Sequence, residues 1–145
     1  MTQALETLRG TVYPWQLDHM GHMNVQFYTA RFDEATWHFF ASLGITPGYL
    51  RDAGRGMAAV EQFTSYKSEL VAGSLIRIES ELIELRPKTV KFRHRMYDAE
   101  SGREAASTEL VAVHIDAALR KSVPFPPSIY SQTVAPAATV TRTKS

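Results

Sequence analysis

The sequence contains no cysteine among its 145 residues. This absence excludes disulfides, a thiolate nucleophile and any metal site with cysteine ligands. Long apolar runs are absent too, since none approaches the ~18 residues that a transmembrane helix needs. Residues 1–10 lack the apolar core of a signal peptide. We therefore expect a soluble protein with no membrane partner, located in the cytoplasm, where reducing conditions suit a chain without cysteine.

The chain also has little net charge, with 16 Lys and Arg against 15 Asp and Glu. This balance argues against a nucleic-acid partner, because nucleic-acid-binding proteins usually carry a strongly basic face. The length and the hydrophobic content of 44% are typical of one globular domain. We place that domain at residues 1–130. We expect residues 131–145, mostly Ala, Thr, Val and Ser, to form a poorly ordered tail.

Residues 25–43 have the pattern of a long amphipathic helix. Its apolar residues recur at steps of three and four, which is the period of a helix that buries one face. They are Val25, Tyr28, Phe32, Ala35 and Phe39. Asn24 is a good N-cap, and Gly44 followed by Pro47 is a typical stop signal.

Around this helix the sequence predicts strands. We expect strands at residues 8–15, 57–70 (with a bulge near Ser65), 75–85, 90–97 and 104–115, and a short helix at 49–53. A sheet with one apolar face needs a cover, and the long helix is the element able to supply it. The predicted fold class is therefore α+β, an antiparallel sheet wrapped around one long central helix. Its exposed edges favour a homodimer or a dimer of dimers.

The loop before the helix contains the residues best suited to chemistry. Residues 18–24 bring a carboxylate, Asp18, two imidazoles, His19 and His22, and Gly21 to the positive end of the helix. A carboxylate beside unpaired helix amides can serve as a base or nucleophile next to donors for an oxyanion. The alternative is that Asp18 only forms a turn. The two histidines lack a third ligand, so we expect no metal.

Two motifs resemble hotdog-fold proteins of the 4-hydroxybenzoyl-CoA thioesterase-like family. The first is Asp18-x-x-Gly21-His22-x-Asn24-x-x-x-Tyr28, followed by Asp33-Glu34-Ala35. The second is Val113-His114-Ile115-Asp116, followed by Arg120-Lys121-Ser122-x-Pro124. The resemblance covers about residues 8–127 and implies a hotdog fold.

The resemblance also implies an activity, the hydrolysis of a small or medium acyl-CoA thioester. It assigns Asp18 as the base or nucleophile and the Val25 amide as the group that polarises the carbonyl. Gly21, His22 and Asn24 belong to the same catalytic loop, where His22 and Asn24 either contact the substrate or form a capping cluster that orders the loop. No cofactor is implied beyond coenzyme A as part of the substrate. The same stretch, with residues 54–60, is similar to a subgroup associated with carnitine breakdown, whose substrate is betainyl-CoA.

Other residues are candidates for substrate binding. Tyr28 is one, and we expect one or two of the aromatic side chains near the helix to line the acyl pocket. Lys91, Arg93 and Arg95 form a basic row that either contacts the coenzyme A phosphates or is an ordinary solvated face. Two alternatives to a thioesterase remain open: a non-catalytic acyl-CoA-binding hotdog domain and a hotdog enoyl-thioester hydratase or dehydratase.

Overall fold

The structure, a computed structural model, describes residues 4–129, which form an antiparallel sheet and two helices. The elements are β1 (Leu5–Thr11), α1 (Val25–Ser42), α2 (Pro47–Ala53), β2 (Arg55–Tyr66), β3 (Leu75–Leu85), β4 (Thr89–Asp98), β5 (Glu104–Asp116) and β6 (Lys121–Ser122). The strand order is β1-β3-β4-β5-β2, and β6 pairs with the end of β5. In this part of the chain β1 and β2 are therefore the edge strands.

α1 begins and ends close to the predicted bounds. The Asn24 side chain accepts a hydrogen bond from the Gln26 amide at 3.1 Å, so the predicted N-cap is confirmed. The helix ends where Leu43 and Gly44 fold back onto the last carbonyls. Five of its side chains are buried, namely Tyr28, Phe32, Ala35, Phe39 and Phe40. The apolar stripe read from the sequence is thus the face that packs on the sheet.

The inner face of the sheet supplies the other half of the core. On β4, Val90, Phe92, His94 and Met96 are fully buried and alternate with partly exposed residues. Because successive residues of a strand point to opposite faces, one side of β4 lies under α1 and the other is outside. The curled sheet with α1 against its inner face is a hotdog fold, so the predicted α+β class is confirmed.

The first strand differs from its prediction. It covers Leu5–Thr11 instead of residues 8–15, and its ladder with β3 ends at the Thr11–Leu75 pair. Pro14 then starts a 3₁₀ turn, Pro14–Gln16. Proline has no amide hydrogen and a fixed φ, which suit the start of a helical turn better than a strand. The β-branched and aromatic residues that suggested a longer strand lie in this turn and before it.

The second strand is also shorter than predicted, ending at Tyr66 instead of residue 70. Its register shift lies between Ala59 and Glu61, so the predicted bulge near Ser65 is wrong. Around Ser65 the ladder is regular, with Thr64, Ser65 and Tyr66 opposite Thr108, Ser107 and Ala106 on β5. The Thr64 and Thr108 hydroxyls are also hydrogen-bonded across the two strands at 2.8 Å. The predicted tail, 131–145, lies outside the described residues. In the described part no helix is long and apolar enough to cross a membrane.

Candidate functional site

The loop that leads into α1 is a compact turn. An antiparallel bridge joins Leu17 to Met23, and the Asp18 amide donates to the His22 carbonyl at 2.8 Å. Gly21 has a φ of 81°, a conformation that glycine adopts without strain, and its amide donates to the Asp18 carbonyl. The Asn24 amide donates to the Gln16 carbonyl at 2.8 Å. The loop is therefore held rigidly at the helix N-terminus.

Asp18 uses one carboxylate oxygen to order this loop. Its Oδ1 accepts hydrogen bonds from the Met20 amide at 2.8 Å and from the His22 amide at 3.3 Å. The Met20 amide is the main cause that holds the pKa of Asp18 below its usual value, so the carboxylate is ionised at neutral pH. Oδ2 accepts no hydrogen bond from residues 4–129. One oxygen builds the turn, and the other is available for a substrate or a water molecule.

Val25 is the first residue of α1 and is exposed. The following two amides, of Gln26 and Phe27, donate to the side chain and the carbonyl of Asn24. The Val25 amide has no hydrogen-bond acceptor in the described part of the chain. An unpaired donor at a helix N-terminus also has the partial positive charge of the helix dipole behind it. Such a group can bind a developing oxyanion.

Tyr28 lies just below this surface, only 4% exposed. Its hydroxyl donates to the Ser68 carbonyl over a long 3.5 Å, and its ring meets Tyr66 edge to face. Burial raises the pKa of the Tyr28 phenol, and the negative charges of Glu69 and Asp18 raise it further. The predicted substrate-binding residue is thus mainly a core residue, with its hydroxyl directed at the Ser68 carbonyl.

Glu69 is a functional-site candidate that the sequence reasoning missed. Its Oε1 lies 3.2 Å from His22 Nε2, and its side chain is 71% exposed. Sequence periodicity placed it inside a strand, whereas β2 ends before it and the Met23 amide instead binds the Leu70 carbonyl at 2.8 Å. No local signal predicts this contact, because residues 22 and 69 meet only through the tertiary fold.

The predicted basic row lies away from this loop. Arg93 alternates with buried residues along β4, so it is on the face of the sheet opposite α1. It donates to Glu109 at 2.6 Å and to Glu81 at 2.9 Å, and Arg95 also reaches Glu81, at 3.3 Å. The Glu109 carboxylate is the main cause that raises the pKa of Arg93. Lys91 has no ion pair with the described residues. Within one chain the sheet separates this row from Asp18.

A cavity of about 180 Å³ lies between α1 and β2. Its aromatic and polar lining includes Thr29, Phe32, Asp33, Trp37, Phe40 and Phe92. Thr29 follows Val25 by four residues, which is about 6 Å along a helix. The cavity therefore begins one helical turn beyond the candidate catalytic amide, on the same helix.

His19, the second imidazole of the loop, is exposed. Within residues 4–129 no three histidine, aspartate or glutamate side chains come together as metal ligands. The chemistry that this geometry offers is that of an ionised carboxylate beside a polarising amide. It suits attack on a carbonyl carbon, or activation of water for that attack.

Comparison with known proteins places the chain in a family. A family model described as "Thioesterase-like superfamily" matches residues 12–133. The chain belongs to this superfamily, and it is a thioester hydrolase. The match includes the loop, α1 and the strands from β2 to β6, so it spans the whole candidate site.

Individual relatives agree with this class. A betainyl-CoA thioesterase of Pseudomonas aeruginosa is 26% identical over 125 residues, which is 86% of this chain and 79% of that protein. A Staphylococcus aureus protein solved in complex with CoA has a TM-score of 0.83 at 21% identity, over 100% of this chain and 89% of that one. A gentisyl-coenzyme A thioesterase has a TM-score of 0.74 at 25% identity, over 85% and 98% of the two chains. The two relatives named thioesterases support the predicted acyl-CoA thioesterase activity at the level of the family, and the S. aureus structure supports the fold.

Proposed function

We propose that this protein hydrolyses an acyl-CoA thioester at the loop formed by residues 18–24. One observation carries the proposal: the ionised Asp18 carboxylate and the unpaired Val25 amide flank the same rigid loop. Thioester hydrolysis needs a base or nucleophile and a donor for the oxyanion, and these two groups are a matched pair. The names of the relatives support the same reaction.

In this mechanism the thioester carbonyl oxygen accepts a hydrogen bond from the Val25 amide, which makes the carbonyl carbon more electrophilic. Asp18 either removes a proton from a water molecule that attacks this carbon or attacks it directly to form an anhydride. The oxyanion that forms is stabilised by the amide and the helix dipole. Collapse breaks the carbon–sulfur bond and releases the coenzyme A thiolate. When water is the nucleophile, the free acid forms directly and the proton held by Asp18 passes to the thiolate. When Asp18 is the nucleophile, the thiolate takes a proton from solvent, and a water molecule then hydrolyses the anhydride to the free acid and regenerates Asp18.

The remaining loop residues support this pair. Gly21 closes the turn that presents the carboxylate. Asn24 satisfies the amides of Gln26 and Phe27, and so leaves the Val25 amide as the donor at the helix N-terminus. His22 contributes its own amide to Asp18 Oδ1. We assign these three residues to organising the reacting groups.

The acyl group we propose is that of betainyl-CoA, in which a trimethylammonium is two bonds from the carbonyl carbon. The P. aeruginosa relative carries this substrate in its name. Tyr66, which is 50% exposed and whose ring meets the buried Tyr28 edge to face, precedes Glu69 by three residues, and Glu69 contacts His22 of the loop. Aromatic faces attract quaternary ammonium groups. A longer acyl group would instead extend toward the cavity that begins at Thr29.

We also propose a cytoplasmic homodimer. β2 is an edge strand, and it exposes Val60, Phe63 and Tyr66 at 58, 72 and 50%. An exposed apolar edge favours pairing with another strand. Sedimentation at micromolar concentration should find a species of twice the chain mass or more. A single species of 16.3 kDa would contradict the dimer.

The experiment that tests the function is release of free thiol from a panel of acyl-CoA substrates, with betainyl-CoA among them. A thioesterase releases coenzyme A with saturable kinetics, and the free acid appears in equal amount. An enoyl-thioester hydratase would change the acyl chain without releasing thiol, and a binding domain would retain acyl-CoA without turnover. Either result would overturn the proposal.

A further inference from the structure

A second carboxylate, Glu69, is held at the loop by the fold. The backbone on both sides of it is fixed, because the Ser68 amide donates to the Ala105 carbonyl and the Leu70 carbonyl accepts from Met23. Leu70 itself is 1% exposed, which anchors the segment in the core. The Glu69 side chain, in contrast, is 71% exposed and reaches His22 Nε2 at 3.2 Å. The fold therefore fixes the backbone position of Glu69, while its carboxylate is exposed to solvent beside the loop.

The reaction proposed above gives Glu69 no task. Glu69 and Asp18 both contact His22, because Glu69 Oε1 lies 3.2 Å from His22 Nε2 and the His22 amide donates to Asp18 Oδ1 at 3.3 Å. A second negative charge next to a developing oxyanion opposes hydrolysis of a neutral acyl group, because like charges repel. The same charge favours a substrate whose acyl group is positive.

The chemistry of such a substrate restricts where its charge can be recognised. In a trimethylammonium-acetyl thioester the nitrogen is two bonds, or about 2.5 Å, from the carbonyl carbon. With the carbonyl at the Val25 amide, the recognising carboxylate must lie at the N-terminus of α1. Asp33, the one ionisable residue in the lining of the cavity, follows Val25 by eight residues, or about 12 Å along the helix. That distance is too long for this acyl group.

We infer that Glu69 is a specificity-determining residue that recognises a quaternary-ammonium acyl group. The inference rests on the proposed function and deepens it, because it assigns the cation to a particular carboxylate. His22 orients the Glu69 carboxylate through the 3.2 Å contact. The ring of Tyr66, which is 50% exposed and lies edge to face with the buried Tyr28 at 5.1 Å, offers aromatic surface for the methyl groups.

The test compares two substrates that differ only in charge. They are betainyl-CoA and 3,3-dimethylbutanoyl-CoA, in which carbon replaces the quaternary nitrogen. The variants are Glu69→Gln, which keeps the shape of the side chain, and Glu84→Gln, a control. Glu84 is also exposed and ion-paired, with Arg86, but it lies near the end of β3 that is far from the loop.

We expect wild-type kcat/KM to favour the cationic substrate. Glu69→Gln should lower kcat/KM for betainyl-CoA about tenfold and leave the neutral substrate unchanged or faster, since the carboxylate is solvated and its effect is moderate. Glu84→Gln should behave as the wild type on both. Equal losses on both substrates would show that Glu69 only positions His22, and no change on either would also overturn the inference.

Failure of the proposed function gives a different result. In that case the wild type releases thiol from no substrate of the acyl-CoA panel, and Glu69 loses its proposed role as well. Release from other acyl-CoA substrates but from neither of this pair would keep the thioesterase and overturn the role of Glu69. If the wild type hydrolyses both equally well, the thioesterase stands and the recognition of a cation by Glu69 is wrong.

Discussion

Two polar regions of this molecule use similar residue types in opposite ways. Under α1, Thr7, Ser80, His94 and Thr36 form a hydrogen-bonded chain in which Thr7, Ser80 and His94 are buried. At the N-terminus of α1, the loop leaves Asp18 Oδ2 and the Val25 amide without partners in the described residues. In the first region the hydrogen-bonding atoms are paired within the fold, and in the second two of them are left for a substrate or a water molecule.

The buried chain has one direction of hydrogen bonding. The Thr36 hydroxyl donates to the Phe32 carbonyl at 3.0 Å, so it must accept from His94 Nε2–H at 2.8 Å. His94 Nδ1 then accepts from the Ser80 hydroxyl at 2.6 Å, and Ser80 accepts from Thr7 at 2.8 Å. Burial lowers the pKa of His94 to about 3, so the imidazole is neutral. A neutral ring with both nitrogens paired supports structure and offers no chemistry.

The two regions differ in whether each polar atom has a partner within the fold, and this difference separates structural from reactive groups. Where every donor has an acceptor, a substitution should affect stability first. Where a group has an unused atom at the surface, as Asp18 has its Oδ2, a substitution should affect turnover first.

The largest expected change in stability comes from breaking the buried hydrogen-bonded chain at His94. His94→Phe keeps an aromatic ring but removes the acceptor of Ser80 and the donor to Thr36. Leaving buried polar groups unpaired costs about 1–3 kcal/mol each, so we expect a loss of about 3 kcal/mol in the free energy of unfolding. Urea unfolding at fixed protein concentration measures it.

The matched control is His38→Phe, since His38 is an exposed residue on the same helix as Thr36. It should change the free energy of unfolding by less than about 0.5 kcal/mol. Equal effects of the two substitutions would mean that the buried chain contributes no more than a surface histidine.

A smaller loss in the free energy of unfolding is expected when the pH is lowered. The folded state disfavours the protonated form of His94, whose pKa is lowered from 6.5 to about 3, so the unfolded chain binds this proton more readily. The contribution of neutral His94 to the free energy of unfolding is fully present above pH 6.5 and is lost as the pH falls toward 3. Linkage gives a loss of about 2 kcal/mol between pH 7 and 5.

The His94→Phe variant should lose most of this slope. Some slope should remain, because burial also lowers the pKa of His114. Unfolding in urea across this range of pH compares the two proteins. A slope that is the same in both would argue against a buried neutral His94.

The smallest effect concerns the basic row on the outer face of the sheet. If Arg93 and Arg95 bind the coenzyme A phosphates, replacing both by Ala should raise KM for acyl-CoA about tenfold with little change in kcat. An acyl-pantetheine substrate, which lacks the nucleotide, should show no change. Because both residues are already ion-paired within the chain, equal KM changes on the two substrates would assign them to the sheet alone.

The sequence predicted the parts of this fold that depend on local period. The α1 stripe and the alternation on β4 can be read directly, because burial on one face repeats at 3.6 and at 2 residues. The 3₁₀ turn at Pro14 and the end of β2 at Tyr66 were missed, since β-like composition continues through both. The position of Asp18 before a long helix made it a candidate reacting group, and the resemblance favoured that role over a turn residue.

The contacts that complete the site could not be predicted in the same way. His22 and Glu69, like Thr36 and His94, are far apart in sequence and meet only when α1 packs on the sheet. The ion pairs of Arg93 likewise depend on the register of β3, β4 and β5. Spacing along one strand cannot indicate these partners.

The most direct test of the central claim is the turnover of Asp18→Asn at unchanged stability. The substituted side chain keeps an oxygen that can accept the Met20 and His22 amides, so the loop and the melting temperature should be retained. The substitution removes the charge and the basicity, and loss of a general base costs about 10²–10⁴-fold in rate. We predict a fall of that size in kcat. Turnover within about threefold of the wild type would contradict the account, because Asp18 would then be only a turn residue.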